Sequence, residues 1–251
     1  MKAVIVTIGN EILKGRTVNT NFSYIGELLT YSGYDVVKGI IVRDNLDEIS
    51  GAFREAFSTG DLIVSSGGLG PTYDDMTLYG FSRCFGLKLI KNQVAMDMIL
   101  KKTGYITPAR EKMSMLPEGS EPLENKAGTA PGVYMEISGK IFIIVPGVPG
   151  EVKSVMEEVK NRIKVPGFQY TDRSEDLHGV KESLIAPLIA DLMKKYRNNA
   201  YIKTHPKKDE NGEPWVEVEV SAWGNSRDEI EKLADSILEH IKENAMQNNY
   251  K

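Results

Sequence analysis

The apolar run "KAVIVTI" from Lys2 is continuous rather than alternating, is rich in β-branched residues and leads directly into glycine. That pattern predicts a strand buried on both faces. Tyr24, Ile25, Leu28 and Leu29 then recur at helical spacing between Thr17 and Ser32, and Gly33 supplies a stop. "YDVVKGIIV" repeats the strand pattern, "NLDEISGAFREAFSTG" reads as a helix capped by Asn45, and "DLIVSS" as a third strand. Such β-α-β-α-β alternation builds a parallel sheet with helices on both faces.

Helical patterns continue over roughly 75 to 85 and 91 to 103. "GVYMEISGKIFIIV" (132 to 145) then predicts two strands about a Ser-Gly turn, and "PGVPGEVKSVMEEV" a turn and a further helix. The pattern changes near Val165-Pro166-Gly167, which divides the chain into a domain over 1–168 and a smaller α+β module over 169–251. In the module we expect an amphipathic helix (about 180 to 196), a strand from Ala200, a turn at Asn211-Gly212, the strand "PWVEVEVSAW" and a last helix (226 to 245). No internal repeat or low-complexity tract interrupts this order.

Composition narrows the function class. The 251 residues are 41% hydrophobic and 26% charged with net charge −4, so the chain exerts no general pull on nucleic acid or anionic membrane. A small-molecule ligand is the expected partner. The single Cys84 excludes an internal disulfide, and three histidines are too few for a cysteine/histidine zinc cluster. No signal peptide or membrane span is legible, so we expect a soluble cytoplasmic protein.

In open α/β sheets, ligands settle where the carboxyl ends of strands meet the loops. Three loops fit that place: "TIGNEILKGRTVNTN", "SSGGLGPTYDDMT" and "IVPGVPGEVKS". In the second, Gly67, Gly68 and Gly70 let backbone amides approach an anion, and the next helix start adds partial positive charge, so phosphate is the natural guest. A strand-to-helix turn with Thr72 as N-cap and Asp75 as its capping partner explains the same residues without a ligand. One carboxylate suffices for a cap, however, and Asp74 stands beside Asp75. Two acids next to a phosphate call for a divalent cation.

The first loop offers Gly9, Asn10, Glu11, Lys14, Arg16, Asn19, Thr20 and Asn21, either as a site or as a solvated connection in which Thr17 or Asn19 caps the helix. Pro146 and Gly147 precede another helix start, where they serve a ligand or simply shape the turn. "NKAGTAPG" presents Lys126, Gly128 and Thr129 to a ligand or to solvent, and Asp44 after the second strand joins the same rim or the helix cap of Asn45. Cys84, in an apolar helical stretch, reads as core rather than nucleophile.

Taken together, "GNEILKGRTVNTN", "VRDN", "SSGGLGPTYDDMT", "NKAGTAPG" and "VPGVPGE" resemble, in the same order and over about residues 1 to 165, the CinA family of competence/damage-inducible proteins within the superfamily of MoaB/Mog-like molybdopterin-binding domains. Leu69, where Mog proteins carry Thr, points to the CinA branch. The resemblance implies a MogA/MoaB-like three-layer α/β sandwich with a mostly parallel sheet, often oligomeric, followed by a small α+β KH-like module. It puts acids at the positions of Asp75 and Asp44 in the active site, with Asp74 the additional acid of the branch.

That resemblance also implies a divalent-metal-dependent hydrolase, an ADP-ribose pyrophosphatase releasing AMP and ribose 5-phosphate. Asp74 and Asp75 would hold Mg²⁺ or Co²⁺, Asp44 or Glu11 would orient water, and Asn19 and Asn21 would bond ribose or base. The diphosphate would rest on Gly67 to Gly70 and on the helix start after Pro146-Gly147. The same pocket would serve molybdopterin binding or adenylation, or a non-catalytic nucleotide-binding protein. A homo-oligomer is expected. The KH-like module shows no Gly-x-x-Gly clamp with basic flanks, so no nucleic-acid partner is expected. The chain leaves no room beyond it for the nicotinamide-nucleotide amidase domain of many members, and that activity is not expected.

Overall fold

Strands form where the apolar runs are continuous. In the computed structural model, which describes residues 1–210 and 212–247, β1 (Lys2–Ile8) is buried from its second residue onward. A single helical turn, α1 (Asn10–Leu13), leads to α2 (Thr20–Tyr31), β2 (Asp35–Val42), α3 (Leu46–Thr59) and β3 (Leu62–Ser66). Next come α4 (Thr77–Phe85), β4 (Leu89–Lys91), α5 (Gln93–Thr103), α6 (Pro108–Lys112) and β5 (Met115–Pro117), with β4 and β5 forming a separate antiparallel ribbon. The first unit closes with β6 (Glu121–Leu123), β7 (Gly132–Ile137), β8 (Lys140–Val145) and α7 (Pro149–Ile163).

The main sheet runs β2-β1-β3-β8-β7-β6. Its first four strands are mutually parallel; β7 then pairs antiparallel with β8, and β6 antiparallel with β7. Between β7 and β8 the chain reverses on Ser138 (φ 51°) and Gly139 (φ 77°), two left-handed residues as a two-residue hairpin requires. Strand alternation sends Val4, Val6, Ile63, Phe142 and Ile144 to the face covered by α3 and α4. The Phe81 and Phe142 rings meet there edge to face, 5.2 Å apart at 70°. Ile5, Val64, Ile143 and Val145, also buried, turn the other way, toward the layer in which α2 and α7 pack together.

Asn45 caps α3 as its sequence suggests, its side-chain oxygen accepting the amides of Asp47 (3.0 Å) and Glu48 (3.2 Å). Asn45→Ala should therefore cost about 1 kcal/mol in urea unfolding. An unshifted midpoint would mean that water replaces the cap. The Thr72 cap, by contrast, does not form: α4 begins only at Thr77, with Met76 at the N-cap position.

The chain divides into two units, Met1–Lys164 and Val165–Lys251. The second consists of β9 (Gln169–His178), α8 (Glu182–Tyr196), β10 (Ala200–Lys208), β11 (Pro214–Gly224) and α9 (Arg227–Gln247), with an antiparallel sheet in the order β10-β11-β9. Val216, Val218, Val220 and Ala222 of β11 are buried with Ile230, Ala234, Ile237 and Ile241 of α9. The sequence pattern misses β9. Asn211, assigned above to a turn, lies outside the described residues. No described helix is long and apolar enough to cross a membrane.

Candidate functional site

Parallel pairing places the carboxyl ends of β1, β2, β3 and β8 on one edge of the sheet. The connection from β1 runs outward to β2, whereas the chain leaving β3 eventually returns as β8 on the other side, so the topology switches between β1 and β3. Such a switch opens a crevice beyond the strand ends. Here it is a cavity of about 900 Å³.

The cavity floor is Thr7 of β1 and its register partner Ser66 of β3. Ser66 is 1% exposed, and its hydroxyl has no hydrogen-bond partner among the described residues. Over it turns the glycine loop. Gly67 has φ +107°, and a Cβ there would sit 2.1 Å from the carbonyl oxygen of Ile8, so only glycine fits. Thr77 fastens the loop from α4, its hydroxyl donating to the Gly67 carbonyl (2.8 Å) and its amide to that of Gly68 (3.2 Å). The Gly67 amide donates to the Val145 carbonyl, whereas the amides of Gly68, Leu69 and Gly70 make no backbone hydrogen bond among the described residues. Gly147 packs against Gly67, and Asn21 holds the Gly147 carbonyl at 2.7 Å. The two glycine turns thus form one wall.

The acids stand around this wall. Asp75 accepts the amide of Thr72 (2.8 Å) and its hydroxyl (2.6 Å), with its carboxylate folded over Gly70. Asp74 Oδ1 lies 2.5 Å from the same hydroxyl. A hydroxyl carries one proton, so it donates to only one of them at a time. Hydrogen bonds from Thr72 and from its own amide, together with nearby Lys112, hold the Asp74 carboxyl below the usual range. Asp44 behaves oppositely: burial pushes it up, Glu11 and Asp74 add negative charge, and the amide of Asn10 (2.9 Å) only partly compensates.

The native state thus holds the Asp44 proton more tightly than the unfolded chain does. Its contribution to stability is greatest at low pH and declines as pH rises from the ordinary carboxylate range through the folded pKa. Asp44→Asn should flatten that decline and raise the melting temperature at neutral pH. A melting profile against pH that the substitution leaves unchanged would contradict the burial account.

Of the residues singled out in the sequence, Gly9, Glu11, Asn19, Asn21, Asp44, Gly67, Gly68, Gly70, Thr72, Asp74, Asp75, Thr129, Pro146 and Gly147 all line the cavity. Lys14 and Arg16 fall outside its lining, as do three more. Asn10 reaches the site only through its amide on Asp44, Lys126 gives its amide to Ser154, and Gly128 packs behind Glu151. Asn19 lines the cavity with its amide already engaged, capping α2 through Phe22 and donating to Thr7 at 3.0 Å. Cys84 packs against the core, and burial raises its thiol pKa.

Tyr105, Thr107 and Arg110, from a segment the sequence does not mark, also line the cavity, as do Thr7, Ser66 and Glu151, which lie in the three loops but are not singled out there. Arg110 lies over the Tyr105 ring, 4.2 Å from its centroid, and donates to the Tyr105 carbonyl. No glycine or acidic motif marks that segment. For Glu151 a signal existed: a carboxylate in the first turn of a helix whose start shows no side-chain cap.

Among the described residues no group of three or more His, Cys, Asp or Glu side chains is placed to hold a metal ion. Asp74 and Asp75, converging on one hydroxyl, make a smaller set. That set suits Mg²⁺, which commonly takes one or two carboxylates and completes its shell with water and ligand phosphate.

Residues 4–165 match the family described as "Probable molybdopterin binding domain". A protein of Caldivirga maquilingensis is 46% identical over 234 residues, covering 92% of this chain and 91% of its own length. Protein Ta0487 of Thermoplasma acidophilum is 44% identical over 246 residues, covering 97% of this chain and 96% of its own. Among solved structures, that of "the protein CinA with unknown function from Thermoplasma acidophilum" shares 51% identity at a TM-score of 0.64, covering 66% of this chain and 100% of that one. The mostly parallel MogA/MoaB-like α/β fold expected from the loops is the fold found.

Proposed function

The chain belongs to the family of probable molybdopterin binding domains, and from that premise we propose that its first unit binds a phosphorylated pterin of the molybdopterin class in the cavity beyond β1 and β3. The observation that best supports this reading is the set of backbone donors on the cavity wall that make no hydrogen bond among the described residues, the amides of Gly68, Leu69 and Gly70. Phosphate oxygens satisfy such donors, and Arg110 on the cavity wall adds a positive charge. Asp74 and Asp75 are the residues that would hold a divalent cation, Mg²⁺ or Co²⁺, which neutralises phosphate charge beside the acids.

Anaerobic titration with molybdopterin, followed by pterin fluorescence, tests the reading. Saturable binding, tightened by Mg²⁺, is the expected result. Binding of nucleotides but not of molybdopterin would move the ligand to another class.

A second reading, phosphoryl chemistry on the bound ligand, draws on the opposed carboxyls. Asp74 is held ionised while Asp44 is pushed up, and acids driven apart in this way divide the roles of charge stabiliser and proton acceptor. In hydrolysis of ADP-ribose, water attacks phosphorus, the P–O–P bond breaks and the water proton passes to Asp44, leaving AMP and ribose 5-phosphate. Adenylation of molybdopterin by ATP uses the same wall. Chromatography after incubation with each substrate pair, with and without Mg²⁺ or Co²⁺, distinguishes the two, and intact substrates in both would leave a binding protein.

A further inference from the structure

We propose that Glu151 is the specificity-determining residue of the cavity, reading the paired N–H donors of a 2-amino-4-oxopyrimidine edge, the edge that pterin and guanine share. The inference rests on the reading that a phosphorylated heterocycle occupies this cavity. Glu151 lies on the cavity wall in the first turn of α7. At that position a carboxylate ordinarily turns back to its own helix start. Here it does not: α7 has no side-chain cap, and Glu151 is instead held by Asn125, whose amide donates to Oε2 at 2.7 Å.

Asn125 is fully committed to the 125–130 loop. It is 3% exposed, its Nδ2 also donates to the Ala130 carbonyl (2.9 Å), and its Oδ1 accepts the amides of Ala127 (3.2 Å) and Gly128 (2.8 Å). Both ends of its amide are thus occupied, so it positions Glu151 and the 125–130 loop rather than meeting a ligand. Gly128 lets that loop close on the carboxylate, since a Cβ there would lie 2.1 Å from Glu151 Cδ. Lys102 ties the loop from behind through the carbonyls of Asn125 and Gly128. With Oε2 held, Oε1 accepts no hydrogen bond, and Glu151 forms no ion pair, among the described residues.

A carboxylate on this wall with no cation paired to it among the described residues divides the cavity electrostatically. Phosphate belongs against the free amides of the 68–70 turn and Arg110, because Glu151 repels it from its own helix start. The heterocycle then lies toward Glu151. A carboxylate accepts two N–H donors from a 2-amino-4-oxopyrimidine, whereas the ring nitrogen of adenine would face it lone pair to lone pair.

Guanosine 5′-monophosphate and adenosine 5′-monophosphate share ribose and phosphate and differ in this edge, so calorimetric titration of the two reads the proposal directly. The wild-type protein should prefer the guanine nucleotide by about tenfold or more, as hydrogen bonds to a charged group allow. Inosine 5′-monophosphate, which keeps the ring N–H and lacks the amino group, should fall between them. In Glu151→Gln the side-chain oxygen can still accept from Asn125, so the loop stays in place, but an NH₂ meets the ligand's donors. Its preference should shrink to about twofold or reverse, with an unchanged melting temperature. Equal binding of the two nucleotides by the wild type, a preference for adenine, or an unaltered ratio in Glu151→Gln would overturn the role of Glu151 and leave the phosphate site standing. Binding of none of the three, nor of molybdopterin, would remove both.

Discussion

Gly67→Ala is expected to lower stability by roughly 2–5 kcal/mol and to abolish ligand binding in whatever protein remains folded. Two costs combine at this position. A left-handed φ of +107° strains any residue with a side chain, and the added carbon would lie 2.1 Å from a backbone oxygen of β1 that cannot rotate away. Relief requires β1 and β3 to part at the cavity floor, taking with them the amides of the 68–70 turn. Gly139→Ala supplies the comparison, because its φ is +77° but nothing lies within 4 Å of the new carbon. Strain alone there should cost about 1–2 kcal/mol. Urea unfolding of both variants separates the terms, and equal losses would show that the contact with Ile8 is accommodated.

On the reading of phosphoryl chemistry in the cavity, Asp75→Asn should leave the fold intact and cut turnover roughly a hundredfold, a loss in the range of a positioned acid-base or charge-bearing group. The substitution preserves shape. The amide oxygen of asparagine still accepts the Thr72 amide and hydroxyl that Asp75 accepts at 2.8 and 2.6 Å, so the turn keeps its brace and loses only a charge. AMP released from ADP-ribose, or adenylated molybdopterin, measures the effect, with melting temperature as the control. The tightening of ligand binding by Mg²⁺ should disappear as well. Full turnover and full Mg²⁺ dependence in Asp75→Asn would reduce the acid to a brace for the loop.

Much of the first unit is legible residue by residue. β1 and β8 are nearly continuous apolar runs, and β3 is one up to its closing serines, because both faces of a central strand are buried, and α3 shows its buried face as Ile49, Ala52, Phe53 and Ala56. β9 is harder. "QYTDRSEDLH" carries four charged residues, and only Thr171 and Leu177 are buried, so its strand character comes from pairing with β11 rather than from its own pattern. The short β4, β5 and α6 are likewise too brief to establish a period.

The sequence by itself determined the alternation of strands and helices, the glycine turn at 67–70 and the neighbouring acids, since each depends on residues a few positions apart. Backbone freedom and hydrophobic period are local properties. Only the tertiary structure decided which side chains share the cavity. It joined Arg110 and Glu151 to the glycine turn, directed Asn125 at Glu151, engaged Asn19 in its helix cap and left Lys126 outside the lining. The physical reason is the parallel sheet, which gathers loops distant in sequence at one edge, where burial and the competition for hydrogen-bond partners settle which polar groups remain free.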